Sequence, residues 1–119
     1  DMVMIKDNHI KVAGSITEAV SRIRSRLNDK YKFEVETTSI NEVKEAVENN
    51  IDLIMLDNMS MDEMKKAVQL INKRALTEAS GNMTLERVAE VAECGVDFIS
   101  VGALTRSVNA LDLSLGILD

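Results

Sequence analysis

A chain of 119 residues with 45% apolar side chains holds material for one globular domain and its core, residues 1–119. A formal charge of −6, with two Phe, one Tyr and no Trp, excludes a basic, aromatic-studded nucleic-acid surface. No apolar run approaches the roughly 20 residues of a membrane span, and one Cys among seven Met fits a reducing, cytoplasmic setting. Cys94 itself reads as a small apolar residue in the last turn of a helix.

Met2-Val3-Met4-Ile5 reads as an apolar strand that delivers Lys6, Asp7, Asn8 and His9 at its exit. Because this strand begins almost at residue 1, the chain is expected to be part of something larger. Ser15-Ile16-Thr17-Glu18 has the form of a capping box, and Ile16, Ala19, Val20, Ile23 and Leu27 then recur at helical spacing. Asn28 and Asp29 are the expected stop. Phe33–Thr37 is the second strand, Ser39-Ile40-Asn41-Glu42 a second box, and Val43, Ala46 and Val47 the next stripe, ended by Asn49-Asn50.

Leu53–Leu56 is a near-continuous apolar strand closed by Asp57, as expected where both faces of a parallel sheet are covered. Ser60-Met61-Asp62-Glu63 starts a third helix whose inner face is Met61, Met64, Ala67, Val68 and Ile71. Ala75–Ala79 predicts a fourth strand and Ser80-Gly81-Asn82 a turn. Thr84 caps a helix with Leu85, Val88, Val91 and Ala92 inward, stopped by Gly95. Phe98–Gly102 is the fifth strand, and Leu111–Leu115 reads equally as an edge strand or a short helix.

Strand alternating with helix implies right-handed βαβ crossovers and an α/β fold with a parallel sheet. About five strands and four helices make either part of a TIM-like (β/α) barrel or an open flavodoxin-like sheet. Ligands sit at the carboxyl ends of the strands in both. That rim gathers Lys6, Asp7, Asn8 and His9, then Glu36, Asp57, Asn58, Glu78, Ser80, Gly81, Gly102 and Thr105.

Single polar residues at strand exits usually cap the next helix. Here three helices have their own serine caps, which leaves Glu36 and Asp57 without a structural task. Two such carboxylates suit a magnesium ion or a pair of ribose hydroxyls. Lys6 suits an anionic group, although Asp7 is placed to neutralise it. His9 reads as a hydrogen-bonding strut or a catalyst. Gly102-Ala103-Leu104-Thr105 has the form of a phosphate cradle at a helix start or of an ordinary turn. The Ser80-Gly81-Asn82 turn points its hydroxyl and amides to the same mouth.

Taken together, Ile5-Lys6-Asp7-Asn8-His9, Ala13-Gly14-Ser15-Ile16, Glu34-Val35-Glu36, Met55-Leu56-Asp57-Asn58-Met59, Glu78-Ala79-Ser80-Gly81, Gly95-Val96-Asp97 and Val101-Gly102-Ala103-Leu104-Thr105 resemble one family. It is the carboxylating nicotinate-nucleotide pyrophosphorylases, or quinolinate phosphoribosyltransferases, and the likeness covers essentially the whole chain. The resemblance implies transfer of phosphoribose from phosphoribosyl pyrophosphate to quinolinate with Mg²⁺, giving nicotinate mononucleotide, pyrophosphate and carbon dioxide for NAD biosynthesis. It implies that Lys6 pairs with a quinolinate carboxylate and that Glu36 and Asp57 hold the ribose hydroxyls and the metal. Ser80, Gly81 and Gly102 become the phosphate-side contacts, while Asn8 and His9 orient the site.

Two positions depart from the family pattern: Asn82 where a second glycine is frequent, and Arg106 where histidine is common. The resemblance also implies an N-terminal α/β sandwich domain, earlier barrel strands and a homodimeric parent that together carry several basic residues. None of these lies in the 119 residues, so the chain alone is expected to be inactive. Three other readings compete. One is the molybdenum-transport-associated homologue of the same superfamily. Another is a non-enzymatic half-barrel that dimerises through its open edges or relaxes into a flavodoxin-like sheet. The last is a receiver-like domain with Asp57 as phosphoacceptor, which Lys6 on the first strand and Gly102 on the last speak against.

Overall fold

The computed structural model describes residues 2–27, 31–101 and 104–107. Five parallel strands follow one another across the sheet: β1 (Met2–Ile5), β2 (Lys32–Thr37), β3 (Leu53–Asp57), β4 (Leu76–Ser80) and β5 (Phe98–Val101). Their spatial order is their sequence order, with no reversal. A flavodoxin-like sheet reverses at a switch point, whereas a barrel adds each strand beside the last. The chain therefore forms an arc of a barrel wall, and the flavodoxin-like alternative is not adopted.

A sixth strand, β6 (Leu104–Ser107), pairs antiparallel with β5, Leu104 opposite Val101 and Ser107 opposite Phe98. The expected helix start at this point is therefore a strand. Pairing with β5 satisfies backbone groups on an edge that would otherwise stay open. Gly102, Asn28, Asp29 and the Leu111–Leu115 stretch lie outside the described residues.

The helices between the strands are α1 (Asp7–Ala13), α2 (Ile16–Arg24), α3 (Ile40–Glu48), α4 (Met61–Ile71) and α5 (Leu85–Ala92). α1 is one more than the sequence predicts. Its entry is fixed by the His9 imidazole, whose Nδ1 accepts from the Lys6 backbone N–H at 3.1 Å. Its exit is Gly14 at φ +107°, with the Gly14 N–H on the Ile10 carbonyl. Serine caps start α2, α3 and α4 as predicted, each accepting from a backbone N–H three residues on. The reciprocal box closes fully at Ser60–Glu63. At α3 the Glu42 carboxylate reaches one residue further back, to the N–H and hydroxyl of Thr38.

Alternation along the strands sends Val35, Ile54, Leu56, Ala79 and Ile99 toward the helices. There they pack with Ile16, Val20, Val43, Met64, Ala67, Ile71 and Val91 as one buried cluster. Leu85 is a correction: it is 64% exposed, because the inward face of α5 is Val88, Val91 and Ala92. Met2 and Met4 are exposed too, on the face that no helix covers. Among the described residues no helix is long and apolar enough to cross a membrane.

The amino ends of the strands are pinned by a device used twice. Asp52 accepts the Phe33 N–H at 2.8 Å while its own N–H reaches the Phe33 carbonyl. Asp97 does the same to Thr77 and also takes the Thr77 hydroxyl. Each aspartate fixes the register of a strand against the one before it, so the opposite ends arrive in step.

Candidate active site

Register brings the predicted rim together. Met55 lies opposite both Glu36 and Glu78, and Asp57 lies opposite Ser80. Glu34, Glu36, Asp57, Glu78 and Ser80 all alternate with residues of the helix-side core, so they share the other face of the sheet.

At the exit of β3 the Asp57 carboxylate accepts from the Ser80 hydroxyl at 3.0 Å, and the Asn58 N–H donates to the Ser80 carbonyl at 3.0 Å. Asn58 holds φ +55°. Gly81 stands at φ +117°, and a Cβ there would meet the Asn58 N and Cα at 3.1 Å. Only glycine lets these two loops touch. Arg87, from the first turn of α5, donates to the buried Met59 carbonyl and ties the same loop from beneath.

Burial, then the nearby Asp57 charge, raises the Glu36 carboxyl above its ordinary range, with Lys6 opposing. Glu34 is raised by burial first, then by Glu78 and Glu36. Glu36 and Asp57 are thus close enough to repel, as two oxygen donors for one hard cation should be. Among the described residues no three carboxylate, imidazole or thiol groups close on one point as a complete metal cage. A two-carboxylate edge is what Mg²⁺ uses when a phosphate ligand supplies other positions, so the residues fit that ion.

Lys6 is exposed at the start of α1, and Asp7 does not neutralise it. Asp7 pairs with Lys11 at 3.2 Å, one helical turn on, a geometry that α1 creates and a loop would not. His9 acts as a strut at the start of α1 through its Nδ1, and Asn8 is exposed beside it. The Ser80 hydroxyl proton is given to Asp57, which leaves its oxygen lone pairs and the adjacent backbone for a ligand. Thr105 falls in β6.

Sequence reasoning passed over Glu34 and Arg87, and it placed Glu78 on the rim without foreseeing its burial. Glu34 and Glu78 are each only 6% exposed, although their strands look like ordinary alternation. The signal at Glu34 was a carboxylate between two apolar neighbours, Phe33 and Val35, in a strand of a parallel sheet. Arg87 lies off the predicted apolar stripe of α5, and only the tertiary structure shows it under the β3 loop. A groove of ≈ 780 Å³ lies at the other end of the sheet, by Lys32, Asp52, Leu76 and Asp97. Its aspartates are occupied with register bonds, and its Arg74 guanidinium caps carbonyls at the end of α4.

The family profile described as "Quinolinate phosphoribosyl transferase, C-terminal domain" matches residues 1–116. The chain is 50% identical over 135 residues to the chloroplastic carboxylating nicotinate-nucleotide pyrophosphorylase of Oryza sativa subsp. japonica, covering 98% of this chain and 36% of that protein. It is also 50% identical over 121 residues to the probable carboxylating nicotinate-nucleotide pyrophosphorylase of Synechocystis sp., covering 98% and 41%. The crystal structure of nicotinate-nucleotide pyrophosphorylase from Ehrlichia chaffeensis superposes with a TM-score of 0.82 at 41% identity, over 92% of this chain and 40% of that one. The chain thus spans well under half the length of these relatives. With profile, sequence and fold in agreement, the chain belongs to the quinolinate phosphoribosyltransferase family, in the part that corresponds to its C-terminal domain.

Proposed function

We propose that the protein containing this chain transfers phosphoribose from phosphoribosyl pyrophosphate to quinolinate, with loss of carbon dioxide, to give nicotinate mononucleotide for NAD biosynthesis. The observation that carries this reading is the mutual placement of Glu36, Asp57 and Ser80 at neighbouring strand exits, with Lys6 the attractive charge beside them. The quinolinate nitrogen bonds to the ribose C1 as the C1–oxygen bond to pyrophosphate breaks. The carboxylate next to that nitrogen then leaves as carbon dioxide, and a proton replaces it.

Positive charge develops at C1 in this displacement, and the Glu36 and Asp57 carboxylates stand on the face where they stabilise it. The same pair accepts hydrogen bonds from the ribose hydroxyls. Ser80 keeps Asp57 oriented through its 3.0 Å bond. Lys6 holds a quinolinate carboxylate, and Asn8 and His9 fix the helix start from which Lys6 projects. Gly81, with Gly102, offers backbone amides to the phosphate. Mg²⁺, held by Glu36 and Asp57, would take charge on the leaving pyrophosphate.

Bringing two anions to an acidic face needs more cations than Lys6, so the active unit is the longer protein as a homodimer in the cytoplasm. The isolated chain is inactive. The test is release of labelled carbon dioxide from quinolinate with phosphoribosyl pyrophosphate by the full-length protein, beside its K6A, E36Q and D57N variants and beside the isolated chain. Loss of 10²-fold or more in each variant is the expected order for a transition-state contact. Turnover of nicotinate in place of quinolinate would overturn the assignment.

A further inference from the structure

α5 departs from the pattern that the serine-capped helices set. α2, α3 and α4 each follow the cap with a glutamate three residues on: Glu18, Glu42 and Glu63. An acid suits that place, because it answers free backbone N–H groups and the positive end of the helix dipole. α5 follows its cap, Thr84, with Arg87. A cation in the first turn of a helix is electrostatically misplaced. The Arg87 backbone N–H still donates to the Thr84 hydroxyl at 3.2 Å, so the helix start is sound and the side chain goes elsewhere. Its guanidinium reaches across to the carbonyl of Met59, a residue 1% exposed and two places beyond Asp57.

We infer that Arg87 is a positioning residue, holding the β3 exit loop so that Asp57 presents its carboxylate to the ribose; the inference rests on the reaction proposed above. Hydrogen bonds join this loop to the β4–α5 segment at two separate points. At the first, the Ser80 hydroxyl donates to the Asp57 carboxylate and the Asn58 N–H donates to the Ser80 carbonyl, each at 3.0 Å. Both of these bonds end on Ser80, so alone they would let the loop turn about that residue. The second point is the Arg87 bond to the Met59 carbonyl, anchored on α5, and it stops that rotation. Asn58 stands between the two points at φ +55°, a conformation costly enough to relax once Met59 is released. A guanidinium suits the task, because its planar fork keeps its orientation where an ammonium pivots. The effect of Arg87 on the reaction passes through Asp57.

The full-length protein and its R87M, R87K and D97A variants are compared for labelled carbon dioxide release, each at a temperature where circular dichroism shows it folded. D97A is the control, since it removes hydrogen bonds at the opposite end of the sheet. R87M is expected to lower kcat by about 10- to 100-fold, the order that a misplaced group costs. KM for quinolinate should move by less than about two-fold, because Lys6 sits at another strand exit. D97A should leave kcat near that of the unaltered protein, and R87K, which keeps a donor, should restore part of the R87M loss. In a D57N background R87M should lower the residual turnover no further, because the group it orients has gone. Amide exchange at Asn58 should quicken in R87M and not in D97A. Equal kcat losses in R87M and D97A, or an undiminished R87M loss in D57N, would overturn the inference. If the unaltered protein releases no carbon dioxide, the proposed reaction falls and Asn58 exchange decides: no change in R87M overturns the positioning role as well.

Discussion

Replacing Gly81 by alanine tests the contact that joins the two central exit loops. The new methyl carbon would stand 3.1 Å from the Asn58 N and Cα, atoms of a backbone that is itself bonded to the Ser80 carbonyl. Neither side can yield by a rotamer change. Two terms add: about 1–3 kcal/mol for alanine at φ +117°, and about 1–3 kcal/mol for overpacking against fixed atoms. Gly14 supplies the control, since it has φ +107° but nothing within 4 Å of the point where an alanine methyl would stand, so G14A carries the first term alone. Urea unfolding of the two variants, followed by circular dichroism, should place G81A below G14A by about 1–3 kcal/mol. Equal losses would mean that the Gly81 to Asn58 approach contributes nothing, and that glycine stands there for its φ alone. In the full-length protein G81A should also lose activity, because pushing Asn58 moves Asp57 with it.

Three further outcomes are expected. Glu34 and Glu36 titrate above 4.5 when folded, so the folded chain holds more protons than the unfolded one between 4.5 and the raised values. Stability should therefore fall as pH rises through that window, and E36Q should flatten the fall in urea titrations run from pH 4.5 to 8. D97A strips the acceptor from the Thr77 N–H and hydroxyl and should cost about 1–3 kcal/mol, with faster amide exchange at Thr77 as the specific sign. R87M leaves the buried Met59 carbonyl without its donor, at a cost of about 1–3 kcal/mol. Faster exchange around Asn58 than in the remainder of α5 would identify the loop as the part released.

The order of elements was readable because three helices announce themselves with a serine and an acid three residues on, at Ser15, Ser39 and Ser60, and a fourth with the cap Thr84. The strands were readable because they are short apolar runs between those signals. α1 escaped because its start lacks an oxygen cap: Lys6 has none to offer, and the acceptor is an imidazole three residues on. Without that helix, Asp7 looked like a partner for Lys6, while in fact a turn of helix hands it to Lys11. Placement of Glu36, Asp57 and Ser80 on one rim followed from counting strand exits. The burial of Glu34 and Glu78 did not, because it depends on which neighbours lie two strands away. Leu85 erred for a related reason: helical spacing gives a stripe, but the stripe's end is decided by where the sheet stops.

The same residue type is handled in opposite ways at the two levels of this sheet, and the contrast explains how one wall can be both rigid and reactive. At the amino ends Asp52 and Asp97 sit just before a strand, beyond the last ladder bond. The free N–H of the neighbouring strand reaches their carboxylates at 2.8 and 2.9 Å, and these acids are consumed in setting register. Glu34, Glu36 and Glu78 sit within strands, where every nearby N–H already serves the ladder, so no backbone donor remains for them. Keeping acids without a hydrogen-bond partner among the described residues is unfavourable, and the chain sustains them because the helix side of the same strands is closed around Val35, Ile54 and Leu56, each fully buried. Position along the strand, more than residue identity, thus decides which carboxylates fasten the fold and which stay available for chemistry.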